Sequence, residues 1–423
     1  MPLPFSRRAS QTAPSFSRDF AGLKTLDHGV GPAITFTRAS NATYFDAAGT
    51  LQTAANDTPR FDHDPATGAS RGLLIEEART NLLIRSAEFT DATWTKTNVT
   101  ATDGQSAPDG TTTADAILET VDSGIHETRQ SVSIAATATH TYSVFLKANG
   151  RNFVTVYVRE TANSGATYAS VVVDLSDGSI SGSPVGTATV TSVGNGWYRV
   201  AVSASIDAGT RFAQIRLRED ASTTSYAGDI TKGILAWGAQ LEAGDFPTSY
   251  IPTTTAAVTR AADGVSVTPI SSFYNTAEGT MFAEVQFPYA SAAYATANRI
   301  LNFGTNGSGN NQNEIRFNQS GGNQLMYLPQ DGVGTAAQIN STTVAAGDTV
   351  KLAAGYAVDN FAFARAGSLV GTDTSGTVAT TQTHMVIGSR RIANSTDTAT
   401  AYYRKIAYWP KRLTNTLLEQ LTT

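Results

Sequence analysis

Thr141-Tyr-Ser-Val-Phe-Leu-Lys147 and Phe153-Val-Thr-Val-Tyr-Val-Arg159 decide the fold class. Apolar or β-branched residues recur at every second position, the period of a strand that buries one face and wets the other. Ala169-Ser-Val-Val-Val-Asp174, Trp197-Tyr-Arg-Val-Ala-Val-Ser203 and Phe212-Ala-Gln-Ile-Arg-Leu-Arg218 repeat the pattern. Asp177-Gly178 and Gly194-Asn-Gly196 supply the turns between them. Many short strands at this spacing predict a β-sandwich.

Toward the C-terminus a second strand-rich unit follows, in Gly279-Thr-Met-Phe-Ala-Glu-Val-Gln-Phe287, Asn298-Arg-Ile-Leu-Asn-Phe303, Glu314-Ile-Arg-Phe317, Val350-Lys-Leu-Ala-Ala-Gly-Tyr356 and Arg404-Lys-Ile-Ala-Tyr-Trp409. Residues 253–262 follow Pro252 and have no strong period, as a crossing segment would. Beyond Trp409, Thr414 fits a helix N-cap, with Leu417, Leu418 and Leu421 as the buried stripe.

Toward the N-terminus the text changes to Thr37-Arg-Ala-Ser-Asn-Ala-Thr-Tyr-Phe-Asp46, Pro59-Arg-Phe-Asp62 and Gly72-Leu-Leu-Ile-Glu-Glu-Ala-Arg-Thr-Asn-Leu-Leu83. Arg38 and Arg60 are guanidinium forks in apolar, turn-rich surroundings, suited to carboxylates or backbone carbonyls at a packed junction. Asp46-Ala-Ala-Gly49 and Asp62-His-Asp-Pro-Ala-Thr-Gly68 are turn chemistry. Residues 76–83 fit either a helical turn or a strand. The expected fold is all-β: an irregular N-terminal attachment region over 1–72, a β-sandwich (jelly-roll) domain over 73–262 and a second sandwich over 263–423.

A chain of 423 residues exceeds one core. With 15% charged residues, a net charge of -5 and no basic run, nucleic acid is not an expected partner. The absence of cysteine removes disulfides, thiolate zinc sites and cysteine catalysis. The opening residues lack a secretory apolar core and no run is long enough to span a bilayer, so a soluble protein without membrane insertion is expected. Asn-x-Ser/Thr triplets such as Asn41-Ala-Thr43, Asn98-Val-Thr100 and Asn394-Ser-Thr396 read as chance in Thr-rich text.

Catalytic and metal constellations fail one by one. No Glu-x-Asp-x-x-Glu supports glycoside hydrolysis, and Glu284 lacks a partner on its strand. Glu76 and Glu77 are adjacent, so strand alternation splits them, and Arg79 favours an ion pair. Asp62-His63-Asp64 offers metal-ligand types inside a Pro/Gly turn, but alternation splits these too. His28, His63, His126, His140 and His384 form no close pair, and no Gly-x-Ser-x-Gly is present. Neither an enzyme nor a cofactor is expected.

Sugar binding needs aromatic faces with amides or carboxylates set around them. Trp197, Trp237 and Trp409 lie in apolar strands and read as core. Trp94 has polar neighbours. The carbohydrate-binding candidates are Tyr289, Tyr294, Asn310, Asn311, Asn313 and Tyr327, although the same Gly/Asn text also spells plain turns.

The N-terminal block resembles one common in bacteriophage virion proteins of the tail-fibre and head-fibre type. Gly196-Trp-Tyr-Arg-Val200, Ala236-Trp-Gly-Ala-Gln-Leu-Glu-Ala-Gly244 and Phe246-Pro-Thr-Ser-Tyr-Ile-Pro252 resemble the jelly-roll carbohydrate-binding-like domain of phage structural proteins, where Trp94 matches a first-strand core aromatic. Residues 408–421 resemble the last strand and closing helix of concanavalin-A-like lectin or laminin-G-like sandwiches. These resemblances imply a component of the virion exterior, on head or tail. The N-terminal region, with Arg38, Tyr44, Arg60 and Phe61, would attach to other virion proteins, and the lectin-like domain would bind host surface polysaccharide. They also imply a homo-oligomer, trimer first. Rival expectations are a capsid decoration or head-fibre subunit contacting mainly virion neighbours, a polysaccharide depolymerase and, more distantly, a bacterial adhesin.

Overall fold

The computed structural model describes residues 13–161, 165–294, 298–305, 311–392 and 397–423, and they are nearly all β. The alternating text of the middle region forms two six-stranded antiparallel sheets. One runs in the order Val99–Gln105, Ala114–Glu119, Gly233–Ala243, Ala138–Asn149, Tyr198–Ile206, Thr187–Ser192. The other runs Ser179–Val185, Thr167–Asp174, Phe153–Arg159, Gly209–Arg218, His126–Ile134, Thr95–Thr97. Tyr142, Val144, Val200 and Val202 from the first meet Val156, Val171, Ile215 and Leu217 from the second in one buried cluster. Trp94 is 1% exposed in that cluster and packs on Phe89 at 4.4 Å, so it is a core residue despite its polar neighbours.

The second sandwich is assembled from both ends of the chain. Phe16–Asp19 pairs with Ala401–Trp409, aligning Phe16 with Tyr408, and Ser70–Ile75 pairs with the same strand. Thr35–Thr37 closes the opposite sheet beside Gly264–Val267. Phe16, Phe20, Leu73 and Ile75 are wholly buried among Met281, Phe303, Tyr356 and Tyr408. Gly72 is required here: at φ +99° its missing Cβ leaves room for the Tyr403 carbonyl oxygen, 2.3 Å from where that carbon would stand. The irregular leader expected over 1–72 is therefore corrected for the described part of it. Residues 16–75 give five strands to the C-terminal sandwich, together with a short helix at Phe20–Leu23 and a separate N-terminal hairpin of Ala42–Phe45 and Leu51–Ala54, and the middle sandwich is an insertion within that unit. Residues 1–12 lie outside the described residues.

The C-terminal helix, Asn415–Thr422, begins where expected, with the Thr414 hydroxyl accepting from the Leu417 N–H at 3.3 Å. Leu418 is buried, and Leu417 and Leu421 pack against the cluster of Phe282, Ala407 and Trp409. Part of the crossing segment forms a strand: Val258–Arg260 pairs with Arg79–Asn81, so the outgoing and returning connections between sandwiches run side by side.

Those connections are locked by charge. Arg60 donates to Glu76 at 2.6 Å and to Asp263 at 2.6 Å, with both carboxylates buried. Arg38 reaches Asp263 at 3.1 Å and the carbonyls of Ser40 and Ala55. The Glu76 N–H donates to the Asp263 carboxylate, and the Asp263 N–H returns a bond to the Glu76 carbonyl. Burial alone would raise the Glu76 pKa, but the charges of Arg260 and Arg60 and two hydrogen bonds from Ser249 pull it down to about 2. Arg38 and Arg60 thus find the carboxylates and carbonyls their sequence context calls for. Being 1% and 0% exposed, they are not available to a partner protein, which corrects their assignment as attachment contacts.

Two outcomes follow from this architecture. Residues 263–423 expressed alone lack five strands (Phe16–Asp19, Gly29–Val30, Thr35–Thr37, Arg60–His63 and Ser70–Ile75) and their buried side chains, so they yield aggregated or poorly dispersed protein by size exclusion and NMR. Residues 13–77 joined through a short glycine linker to 261–423 restore a folded sandwich, and a well-folded 263–423 on its own contradicts the shared core. Arg60→Met removes the guanidinium shared by two buried carboxylates, leaving Asp263 to Arg38 and Glu76 to Arg260 alone, and lowers stability by about 3 kcal/mol in urea unfolding. Lys232→Met, which breaks a half-exposed pair with Asp229, costs no more than about 1 kcal/mol.

Candidate functional site

Where the two sandwiches meet, a cleft of about 870 Å³ opens. The inserted sandwich supplies the outer face of its first sheet, and register fixes what that face presents. Strand alternation sends Val200, Val202 and Ile206 into the core, so Arg199, Ala201, Ser203 and Ser205 face outward. On the edge strand Thr187–Ser192, Ala188 and Val190 pack inward and Thr187, Thr189 and Thr191 face out. Pairing aligns these residues in rows: Thr187 with Ser203 and Thr141, Thr189 with Ala201 and Ser143, Thr191 with Arg199 and Phe145. Thr187, Thr189 and Thr191 are exposed, and among the described residues their hydroxyls make no hydrogen bond.

Further along the sheet the same face is closed. Gln240 and Glu242 hold the returning segment, accepting from the Ile251 N–H at 2.7 Å and the Thr248 N–H at 2.8 Å. Trp237 and Tyr250 pack at 4.6 Å, tilted by 53°, beside Phe145. Asn81 fastens the other connection, donating to the carbonyls of Ala239 and Ile251 and accepting from Leu83 and Leu241. At Gly244, φ +124°, a Cβ would collide with the Arg79 guanidinium, which lies over the Phe246 ring at 5.2 Å.

The second sandwich and the N-terminal hairpin complete the cleft with Tyr44, Phe45, Tyr289 and Tyr402, all half-buried. Tyr289 stacks on Phe246 at 4.1 Å and its hydroxyl donates to the Pro247 carbonyl. It therefore ties the sandwiches together while exposing part of its ring. Arg71 donates to Asp64 at 2.8 Å and to the Tyr402 hydroxyl at 3.2 Å. Asp62 is buried beside them; desolvation pushes its carboxyl up to about 6 against the pull of Arg71 and a hydrogen bond from the Phe45 N–H. Thr400 Oγ1, Gln286 Oε1 and Arg199 Nε line the cleft as buried polar atoms without a protein partner.

Of the residues that the sequence marks for sugar binding, the structure brings only Tyr289 to this cleft surface as a half-exposed ring. Tyr294 is 1% exposed, stacked on Phe317 at 4.5 Å with its hydroxyl on the Thr400 carbonyl, and Tyr327 is wholly buried. Asn313 is also wholly buried, donating to the Tyr274 hydroxyl at 3.0 Å. These three are core residues because they occupy inward positions or fill the space between sheets, and their assignment as ligand contacts is corrected. Asn311 is half-buried on a strand, bonded to Thr381, away from the cleft. Asn310 lies outside the described residues. Tyr44 lines the cleft, while Phe61 packs half-buried against the second core.

The other chemical candidates resolve into structure. Glu77 pairs with Arg79 and Glu284 with Arg404 at 3.0 Å. His63 rests on the Phe45 carbonyl and Asp64 caps its own turn. Among the described residues no cluster of three His, Asp or Glu is placed to hold a metal ion. Among the described residues no helix is long and apolar enough to cross a membrane. The residues that sequence reading passed over are Thr187, Thr189, Thr191, Arg199 and Tyr402. The alternation of Thr with Ala188 and Val190 was the available signal.

Asp62 supplies a pH test of this geometry. Its folded pKa lies above the ordinary carboxylate value, so the folded state holds its proton longer, and stability falls as pH rises from about 4 through 6. Asp62→Asn removes that loss. Its stability relative to the parent is therefore greater at pH 7.5 than at pH 5, by roughly 1 kcal/mol, in urea titrations at the two pH values. An advantage independent of pH contradicts the buried, ionisable placement.

No family model matches the chain. No curated protein matches it either. Among solved structures the chain is similar to the Ruminococcus gnavus IT-sialidase CBM40, at 10% identity and TM-score 0.30 over 38% of this chain and 93% of that one. It is similar to the NanB sialidase from Streptococcus pneumoniae at 13% identity and TM-score 0.31, over 37% of this chain and 26% of that one. For the native heptameric SAP-like pentraxin from Limulus polyphemus the values are 13% and 0.27, over 36% and 73%. Likenesses this shallow leave the ligand and activity to be argued from the cleft itself.

Proposed function

We propose that this chain is a bacteriophage virion structural protein, a tail-fibre, head-fibre or spike component that holds host surface polysaccharide in the cleft between its sandwiches without cutting it. The observation that carries the sugar-binding part is the row of unengaged hydroxyls at Thr187, Thr189 and Thr191 beside the half-exposed rings of Tyr44, Tyr289 and Tyr402. Apolar ring faces with convergent neutral hydrogen-bonding groups are what a saccharide requires. The virion assignment rests on the resemblance of the blocks around Arg38, Arg60 and residues 72–83 to phage fibre proteins.

The non-enzymatic part draws on the cleft carboxylates. Glycoside hydrolysis takes two carboxyl groups facing one bond. Glu76 is held by Arg60, Arg260 and Ser249, and Asp62 accepts from the backbone of Phe45. A decoration role is favoured by one other observation: Val121 and Ile230, 73% and 60% exposed, lie on neighbouring loops at one end of the inserted sandwich and suit contact with a protein neighbour. A single cleft of this kind binds weakly, so a homo-oligomer, trimer first, would raise avidity through effective concentration.

The test is a panel of bacterial capsule and lipopolysaccharide preparations incubated with the full chain. Binding without new reducing ends is expected. Thr189→Val combined with Thr191→Val removes two hydroxyls at nearly constant shape and weakens binding about tenfold, with the melting temperature unchanged. Chain shortening of the polysaccharide overturns the non-enzymatic reading, and undiminished binding by the double variant removes the cleft from it.

A further inference from the structure

We infer that the cleft selects an acidic saccharide, with a carboxylate of the sugar seated on Arg199; this rests on the glycan-binding reading above. Arg199 stands apart from the other arginines lining or flanking the cleft. Arg60 is clamped by Glu76 and Asp263, Arg260 pairs with Glu76 at 3.5 Å and Arg71 pairs with Asp64. Arg199 makes no ion pair among the described residues, in a chain whose acidic residues outnumber its basic ones by 35 to 30. Its side-chain hydrogen bond goes to the Ser143 hydroxyl at 3.0 Å, and its Nε is buried with no partner.

The geometry holds the cation in place. Register sets Arg199 between Thr191 on the edge strand and Phe145 on the inner one. Its guanidinium lies over the Phe145 ring, 5.3 Å from the centroid, and the bond to Ser143 restrains its rotation. A half-buried guanidinium without a counter-ion pays for lost hydration and gets no Coulombic return. An incoming planar carboxylate supplies that return, and the fork geometry of arginine favours it over a point anion.

The cleft's own acids do not take this place. Glu76 and Asp62 are buried with their oxygens engaged by the junction arginines, Ser249 and the Phe45 N–H. Asp245, the exposed carboxylate in the lining, makes no ion pair with Arg199. The hydroxyl of Thr191 lies in the same row as Arg199 and that of Thr189 in the next, positioned for the ring hydroxyls of a sugar whose carboxylate faces the guanidinium.

The experiment compares two polymers that differ only in charge: polygalacturonate and the neutral galactan made from it by carboxyl reduction. Binding of each to the full chain is measured by affinity electrophoresis and titration calorimetry at two salt concentrations. Wild-type protein is expected to prefer the acidic polymer about tenfold, a preference that shrinks as salt rises. Arg199→Gln brings the two affinities together by weakening the acidic polymer's binding about tenfold more than the neutral polymer's, and Arg199→Lys retains part of the preference. Equal wild-type binding of both polymers overturns the anion seat and leaves glycan binding standing. A preference that survives in Arg199→Gln overturns the seat at this residue. Binding of neither polymer overturns the inference together with the reading beneath it.

Discussion

Everything in this molecule turns on a guanidinium buried between two carboxylates, Arg60 between Glu76 and Asp263. Glu76 lies where the chain leaves the outer sandwich and Asp263 where it returns, so one side chain fixes both crossings at once. Two buried charges are costly unless geometry is good and remaining lone pairs are satisfied. Here they are: Ser249 donates twice to Glu76, and Asp263 receives Arg38 and the Glu76 N–H as well. The lock stabilises one relative placement of two domains more than it stabilises either domain.

That placement creates the cleft. A free-standing inserted sandwich would show the outer face of its first sheet to solvent along its whole width. Docked by the lock, part of that face is sealed by Trp237, Tyr250 and the segment held on Gln240 and Glu242. The rest is left open opposite Tyr289 and Tyr402. The same event that buries Glu76 thus gathers a Thr-lined strand pair from one domain and aromatic rings from the other. Tyr289, stacked on Phe246, takes part in both jobs.

Strands were legible in the sequence wherever one face is apolar, as in residues 141–147 and 153–159, because period two is a local property. The closing helix was legible from Thr414 and its leucines, and the forks at Arg38 and Arg60 announced a packed junction. The nesting was not legible. Phe16 aligns with Tyr408 across nearly the whole chain, and no local pattern encodes a pairing of that span. Tyr327 was misjudged for a different reason: it shares strand parity with the buried Leu325, but which face of that strand meets the other sheet is set by packing from distant segments. The Thr row escaped notice because an edge strand with one wet face and only Ala188 and Val190 beneath offers little apolar signal.

The motifs that carry the phage resemblance prove to be one physical object. Arg38, Arg60, Glu76 and Asn81 come from the N-terminal blocks, and Gln240, Glu242 and Ser249 from the later ones. In space they form a continuous polar seam along the junction. Text of this kind specifies how two sandwiches are held, which is a requirement of architecture and says little about ligand. Specificity then falls to residues outside the seam. From Thr187 to Thr191 the open strand spans about 13 Å, longer than a single ring, so the cleft is proportioned to a stretch of chain more than to a terminal sugar. A surface that binds through many weak contacts over such a length gains little per contact and must be rigid to gain at all. The buried lock at Arg60 supplies that rigidity, with its own charges kept out of the cleft.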